Sequence, residues 1–225
     1  MTIILTNDDG IDAPGIRALQ QAVDGESIIV APNQQYSGCG HQVTTHKGMK
    51  LAQRAKDEYA LDGTPADCTR MAISQIATNT KLVLSGINSG GNLGTDVYIS
   101  GTVAAVREAA IHGIPGIAIS HWVKRPLIID WELATHWTSR VLTDLLARPL
   151  PPGSFWNVNL PHLEPEQPEP KIVLCKPSID SLPVNFRVEE DTYHYHGKYG
   201  DRDRTPGTDV DVCFGGNIAV TLIRL

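Results

Sequence analysis

The sequence predicts an α/β fold in which a mostly parallel sheet is covered by helices on both faces. Short apolar runs alternate with helical patterns through the first half of the chain, which is the order of a β-α-β protein. The apolar runs lack the alternation of a half-exposed strand, so we expect both of their faces to be buried. With 225 residues, 41% hydrophobic and 20% charged, the chain is long enough to bury a core without a disulfide or a structural metal.

Four short runs supply the predicted parallel strands. Each is rich in β-branched or aliphatic residues and is bounded by turn-forming residues. Ligands of such a sheet bind beyond the carboxyl ends of its strands, so we expect a site in the turns that follow the first three runs. The runs are Ile3–Thr6, Ser27–Ala31, Leu82–Ser85 and Gly116–Ser120.

Four helical patterns accompany these strands. Pro14 suits the first turn of one helix, and Pro65 lies near the start of a second. The third pattern, Val103–His112, ends before Gly113, which is a typical stop signal for a helix. The fourth is Trp131–Ala147.

The composition changes near residue 160, where a proline-rich stretch begins. We expect residues 1–160 to form the core and residues 161–225 to form a connection, an arm and strands that pack on that core and on a partner subunit. The predicted β segments here are Lys171–Cys175, Phe186–Val188 and Ile218–Ile223. We interpret Asp209–Val212 as an edge strand or turn, because it follows Pro-Gly-Thr and not an apolar strand.

Several functional classes are disfavoured. The formal net charge of −6 argues against a duplex nucleic acid as partner. Neither the Walker phosphate loop, the G-x-G-x-x-G spacing of dinucleotide sites nor the G-x-S-x-G elbow of hydrolases is found. No apolar run approaches a membrane span, no secretory leader follows Met1, and the four cysteines form no C-x-x-C pair. We therefore expect a soluble, cytoplasmic protein that does not bind membranes.

Two adjacent carboxylates, Asp8 and Asp9, follow the first predicted strand. Asn-Asp-Asp-Gly is good turn chemistry, so a purely structural role is about equally well supported by that stretch alone. Position favours function, because a carboxylate pair at the carboxyl end of a buried parallel strand is well placed to hold a hard cation.

Two further loops are predicted at the same edge. The second strand leads into a polar, glycine-containing loop in which Ser37 offers a hydroxyl oxygen. The third leads into a glycine-rich loop that ends with Ser100-Gly101-Thr102 at the start of a helix. A helix N-terminus attracts anions through its free N–H groups and its dipole, so we expect a phosphate there. Ser100 or Thr102 also suits a helix cap, and the two roles are compatible.

Taken together, these segments resemble the SurE family of metal-dependent 5′/3′-nucleotidases. The order and spacing of five linked motifs match over about the first 120 residues. They are Thr6-Asn7-Asp8-Asp9-Gly10 with Ala13-Pro14-Gly15-Ile16, Ala31-Pro32 with Ser37-Gly38, Gly63-Thr64-Pro65-Ala66-Asp67-Cys68, Ser85-Gly86-Ile87-Asn88 with Gly90 and Asn92-Leu93-Gly94, and Ser100-Gly101-Thr102-Val103-Ala104-Ala105.

The resemblance implies a Rossmann-like core and assigns roles to particular residues. It implies a divalent metal ion held by Asp8, Asp9, Ser37 and Asn88, with Asp8 and Asp9 as catalytic residues. It also implies a phosphate received by Asn92 and by Ser100, Gly101 and Thr102. All four proposed metal ligands are oxygen donors, which favours Mg²⁺ or Mn²⁺ over Zn²⁺. Asp9 and a water on the metal both stay open as the acid for the leaving alcohol.

The resemblance further implies the substrate and the assembly. It predicts hydrolysis of nucleoside 5′-monophosphates, with 3′-monophosphates as a second substrate class. It also predicts a homodimer or homotetramer that uses C-terminal elements. The alternative is a non-catalytic module that binds nucleotides with the same glycine-rich loop and releases no phosphate.

Overall fold

A computed structural model describes residues 2–164 and 166–225. Its strands and helices follow one another in the β-α order that the sequence predicts. The elements are β1 (Thr2–Thr6), α1 (Pro14–Ala22), β2 (Ser27–Pro32), β3 (Leu51–Ala55), β4 (Glu58–Leu61), α2 (Pro65–Met71), β5 (Thr80–Ser89), α3 (Gly101–Ile111), β6 (Gly116–His121), α4 (Trp131–Leu146), β7 (Ser154–Leu160), β8 (Ile172–Leu174), β9 (Phe186–Glu189), β10 (Thr192–Tyr195), α5 (Asp209–Phe214) and β11 (Ile218–Arg224). A π-helical turn continues α2, and 3-10 turns lie at Gly94–Tyr98 and Tyr199–Asp201.

The main sheet has nine strands in the order β3-β4-β2-β1-β5-β6-β7-β11-β8. From β4 to β7, each neighbouring pair is parallel, and β1 and β5 lie at the centre of that run. β3 is antiparallel to β4, and β11 is antiparallel to β7. The predicted α/β class with a mostly parallel sheet is therefore confirmed.

Helices cover both faces of this sheet. Because successive strand residues point to opposite faces, each strand contributes to two cores. Leu5 packs in a core with α1 and α4, through residues such as Leu19 and Val141. Ile4, one position earlier, packs in the other core with α2 and α3, through residues such as Val103. This two-sided burial explains why the strands read as continuous apolar runs.

The sequence-based prediction missed four strands, which are β3, β4, β7 and β10. β3 is exposed along its whole length, and β4 is short. β7 is fully buried, yet Asn157 and Asn159 interrupt its apolar character, which hid it. The interpretation of Asp209–Val212 as an edge strand or turn was wrong, because these residues begin helix α5. Asp209 and Asp211 supply the negative charge that a helix N-terminus favours.

The C-terminal part of the chain extends the same sheet. β11 pairs with β7 over six residue positions, and β8 pairs with β11. β9 and β10 form a separate two-stranded hairpin. Residue 160, where the composition changes, is therefore the last residue of a strand whose next neighbour in the sheet comes from the C-terminal part. Within residues 2–164 and 166–225, the helices lack the combination of length and hydropathy that a membrane span requires.

The contact between α1 and β5 leaves no room for a side chain at Gly15. A Cβ placed there would overlap the carbonyl oxygen of Ile87, which is backbone and cannot rotate away. Gly15→Ala should therefore lower the free energy of unfolding by about 1–3 kcal/mol, the usual cost of overpacking a core. Chemical denaturation measures this.

The matched control for Gly15→Ala is Gly48→Ala, because an added Cβ at Gly48 meets nothing within 4 Å. That variant should unfold like the unmodified protein. Equal stability of the two variants would contradict the close helix–strand contact.

Candidate active site

Asp8 and Asp9 lie just beyond the carboxyl end of β1, at the centre of the sheet. The turn that carries them is closed by Asn7, whose side-chain amide donates to the carbonyl of Gly10 at 2.8 Å. The N–H of Gly10 in turn donates to Asn7 Oδ1 at 3.2 Å. The predicted turn at Asn-Asp-Asp-Gly is therefore present. It positions the carboxylate pair at the edge of the sheet where ligands are expected.

Asp8 is buried against the first turn of α3. The hydroxyl of Thr102 donates a hydrogen bond to Asp8 Oδ1. A Cβ on Gly101 would lie 2.8 Å from Asp8 Cβ, so only glycine allows this approach. Burial raises the pKa of Asp8 to about 6, and the neighbouring charge of Asp9 adds to this, while the Thr102 hydrogen bond opposes it.

Asp9 is half-buried and is held by β5. The backbone N–H of Ser89 donates to Asp9 Oδ2 at 3.0 Å, and burial raises the pKa of Asp9. The side-chain amide of Asn88, one residue earlier, donates to the carbonyl of Gly90 at 2.7 Å. This bond uses the nitrogen of Asn88 and leaves its oxygen for another partner.

The loop that carries Ser37 runs beside the carboxylates. The N–H of Tyr36 donates to the Asp8 carbonyl at 2.7 Å, which ties the loop to the end of β1. The Ser37 hydroxyl is exposed and accepts a hydrogen bond from the Gln35 side chain at 2.8 Å. The loop is thus placed as predicted, but among the described residues Ser37 makes no hydrogen bond to Asp8 or Asp9.

Ser100 caps α3. Its hydroxyl accepts from the N–H of Val103 at 3.1 Å, and the side chain is buried. The hydroxyl of Thr102 is used by Asp8. What this helix start offers to an anion is therefore the backbone N–H groups of Gly101 and Thr102, which have no acceptor within the helix.

Asn92 is buried in a network of polar side chains. Its amide nitrogen donates to Ser120 Oγ at 2.7 Å, and its backbone N–H donates to Asn159 Oδ1 at 2.7 Å. Its carbonyl accepts from Asn157 and Asn159 at 2.9 and 3.0 Å. These three partners on β6 and β7 were missed in the sequence. The signal that points to them is a pair of asparagines, two residues apart, inside an otherwise apolar run.

The C-terminal segment also holds the glycine-rich loop. The Nη1 atom of buried Arg202 lies 2.7 Å from Asp96 Oδ2. The Tyr199 hydroxyl donates to the same oxygen at 2.6 Å. Asp209 Oδ2 accepts from the N–H of Gly94 at 2.7 Å. The loop between β5 and α3 is thereby connected to residues more than one hundred positions later in the chain.

Known proteins resemble this chain over most of its length. The family model described as "Survival protein SurE" matches residues 3–181. A protein of Nostoc sp. (strain PCC 7120) is 63% identical over 226 residues, covering 100% of both chains.

The chain belongs to the SurE family.

Named relatives and a solved structure agree with the assignment. A protein named 5′-nucleotidase SurE from Heliobacterium modesticaldum is 38% identical over 237 residues, covering 100% of this chain and 86% of its own length. The crystal structure of the SurE protein from Aquifex aeolicus superposes with a TM-score of 0.87 at 32% identity, covering 100% of this chain and 93% of that one.

The residues at this edge of the SurE chain suit a hard divalent cation. They offer two carboxylates with raised pKa values and an amide oxygen, all oxygen donors. Among the described residues, no group of three or more His, Cys, Asp or Glu side chains is arranged to hold a metal ion. His41, the histidine nearest to Ser37 in sequence, lies 2.7 Å from Glu108 and pairs with that carboxylate.

The raised pKa of Asp8 predicts how the stability of the metal-free SurE chain depends on pH. The folded state binds the Asp8 proton more tightly than the unfolded state, so stability should fall as pH rises from about 4 to about 6. Two pKa units correspond to about 3 kcal/mol. Asp8→Asn should remove this loss, and urea denaturation in the presence of a chelator measures the difference at each pH.

The difference in unfolding free energy between Asp8→Asn and the unmodified chain should be small at pH 4 and in favour of the variant above pH 6. Asp12→Asn is the control, because Asp12 is an exposed carboxylate a few residues away. A difference that does not change with pH would contradict the burial of the Asp8 charge.

Proposed function

We propose that this SurE-family nucleotidase hydrolyses nucleoside 5′-monophosphates, and also 3′-monophosphates, to nucleoside and phosphate. The proposed site lies where the carboxyl ends of β1 and β5 meet the N-terminus of α3. The proposal assigns Asp8, Asp9, Ser37 and Asn88 to a divalent cation, Mg²⁺ or Mn²⁺. The observation that carries it is the contact of buried Asp8 with the start of α3. This contact brings the Asp8 carboxylate beside free backbone N–H groups that favour an anion, which supports a cation and a phosphate as neighbours.

Hydrogen bonds orient the two carboxylates that the proposal assigns to the cation. Thr102 holds Asp8 in one orientation, and the N–H of Ser89 does the same for Asp9. Both bonds stabilise the ionised carboxylates that a cation requires. When bound, the cation supplies charge neutralisation, polarisation of the phosphoryl group and activation of water.

The phosphate is received by the loop and the helix start. The N–H groups of Gly101 and Thr102 are held in a fixed position, facing the negative charge that develops on the phosphoryl group. They stabilise the transition state of hydrolysis, and no donor has to reorient during the reaction. Ser100 supports them as the helix cap, and Asn92 contributes from a network that holds its side chain still. The role of Thr102 is thus twofold, since its hydroxyl serves Asp8 and its N–H serves the phosphate.

Removing either carboxylate tests the catalytic proposal. Asp8→Asn and Asp9→Asn each take away a charge that the cation needs, so phosphate release from nucleoside monophosphates should fall on the order of a hundredfold or more. Asp12→Asn should keep full activity. A chelator should abolish phosphate release, and Mn²⁺ or Mg²⁺ should restore it better than Zn²⁺.

Full activity in the Asp8 variant would overturn the cation site. Nucleotide binding without any phosphate release under all metals would favour the non-catalytic module instead.

The β9–β10 hairpin supports the proposal of a homodimer or homotetramer. Phe186, Val188, Tyr193 and Tyr195 face one another across its two strands, and all four are more than half exposed. The opposite face carries polar residues such as Arg187 and His194. A hairpin with one wholly apolar face is marginal alone in water and is stabilised when a second copy covers that face.

Sedimentation measures this assembly. The unmodified chain should be at least a dimer at micromolar concentration, and Val188→Lys should shift it towards monomer by burying a charge in the interface. Thr192→Lys places the same side chain on the polar face of the hairpin, opposite Glu189, and should leave the assembly intact. A monodisperse monomer before mutation would contradict the assignment.

The proposed cytoplasmic location is supported by the cysteines. All four are free thiols, as expected in a reducing compartment.

A further inference from the structure

A cavity of about 330 Å³ opens beside the proposed cation and phosphate site. Its lining includes Ser89, Gly90, Gly91, Trp122, Arg125 and Tyr199. This volume lies at the lower end of the range for small-molecule sites. None of the catalytic roles proposed above uses the cavity, so its occupant is a separate question.

The wall of the cavity is continuous with the proposed catalytic residues. Ser89 lines it, and the Ser89 N–H donates to Asp9. Gly90 lines it as well, and the Gly90 carbonyl accepts from the Asn88 side chain. A substrate whose phosphate lies at the cation therefore has this cavity as its neighbouring space.

Trp122 is held in a fixed orientation at this wall. It follows β6 directly, and its backbone N–H donates to the Leu160 carbonyl at 3.0 Å. Its indole stacks on Phe214, with ring centroids 4.2 Å apart and an angle of 21° between the planes. Phe214 thus covers one face of the indole, and Trp122 also borders the cavity.

The rest of the lining suits a flat, polar-edged ring. The hydroxyl of Tyr199 is committed to Asp96, so this residue offers mainly its ring. Arg125 is exposed at the same cavity and carries N–H donors that match ring carbonyl or sugar oxygens. Flat aromatic bases stack on such tryptophan faces, and every base has a face to offer.

We infer that this cavity is the nucleobase subsite, with the base stacked on Trp122 and Arg125 bonded to its polar edge or to the sugar. The inference rests on the proposed function, because it places the nucleoside part of the same substrate. It assigns Trp122 as the residue that distinguishes a nucleotide from a sugar phosphate.

The test compares two substrates that share ribose and phosphate. For the metal-loaded enzyme, Trp122→Ala should lower kcat/KM for adenosine 5′-monophosphate on the order of tenfold to a hundredfold, as expected for loss of one base–aromatic stack. It should leave kcat/KM for ribose 5-phosphate unchanged. Trp122→Phe keeps a stacking ring and should retain most of the activity on the nucleotide. Lys124→Ala, next to the cavity in sequence, is the control and should change neither.

Binding of adenosine provides a readout that needs no catalysis. Equilibrium dialysis should show that the unmodified protein binds adenosine more tightly than ribose, and that Trp122→Ala loses this preference while Trp122→Phe keeps it. Failure of the chain to release phosphate from any substrate would sink the proposed function but leave this binding test intact.

Three results would each overturn the base subsite. The first is an equal loss of kcat/KM on both substrates in Trp122→Ala. The second is no loss on adenosine 5′-monophosphate. The third is an adenosine affinity that is the same in the unmodified protein and in Trp122→Ala. An affinity for adenosine no greater than that for ribose counts as this third result.

Discussion

The burial of the Asp8 carboxylate against the start of α3 is the interaction on which the site depends. A charged carboxylate in this position is unfavourable by itself, as the rise of its pKa to about 6 records. The hydrogen bond from the Thr102 hydroxyl lowers this cost, and the absence of a side chain at Gly101 leaves room for the carboxylate. Under the proposed function a divalent cation offsets what remains, so the burial that disfavours the charged Asp8 in the metal-free fold also favours metal binding.

The position of α3 is set by the glycine-rich loop before it, and that loop is held from two directions. Asn157 and Asn159 on β7 bind the backbone of Asn92, while Arg202, Tyr199 and Asp209 bind the segment from Gly91 to Asp96. A loop of this composition has a high conformational entropy when free. Buried polar partners remove that freedom and fix the position of the backbone N–H groups at the start of α3.

These partners also explain why the C-terminal part is inseparable from the core. β11 completes the sheet beside β7, and Cys213 and Val210 of α5 pack with Leu93 of the loop. Phe214 of the same helix supports Trp122 at the proposed base subsite. The segment that resembles an appendage in the sequence therefore supports the site, and among the described strands β9 and β10 form a separate sheet.

The sequence by itself determined the α/β class, the central strands and the carboxylate pair, because burial on both faces and turn chemistry are local properties of the chain. It also offered Ser100 or Thr102 as the helix cap, and the structure selects Ser100. Only the tertiary structure decided which groups meet across long separations: Thr102 with Asp8, Asn159 with Asn92, and Arg202 with Asp96. It likewise turned Asp209–Val212 into a helix start, since the Asp209 carboxylate accepts from Gly94 and Ser178, residues whose proximity no local pattern reveals.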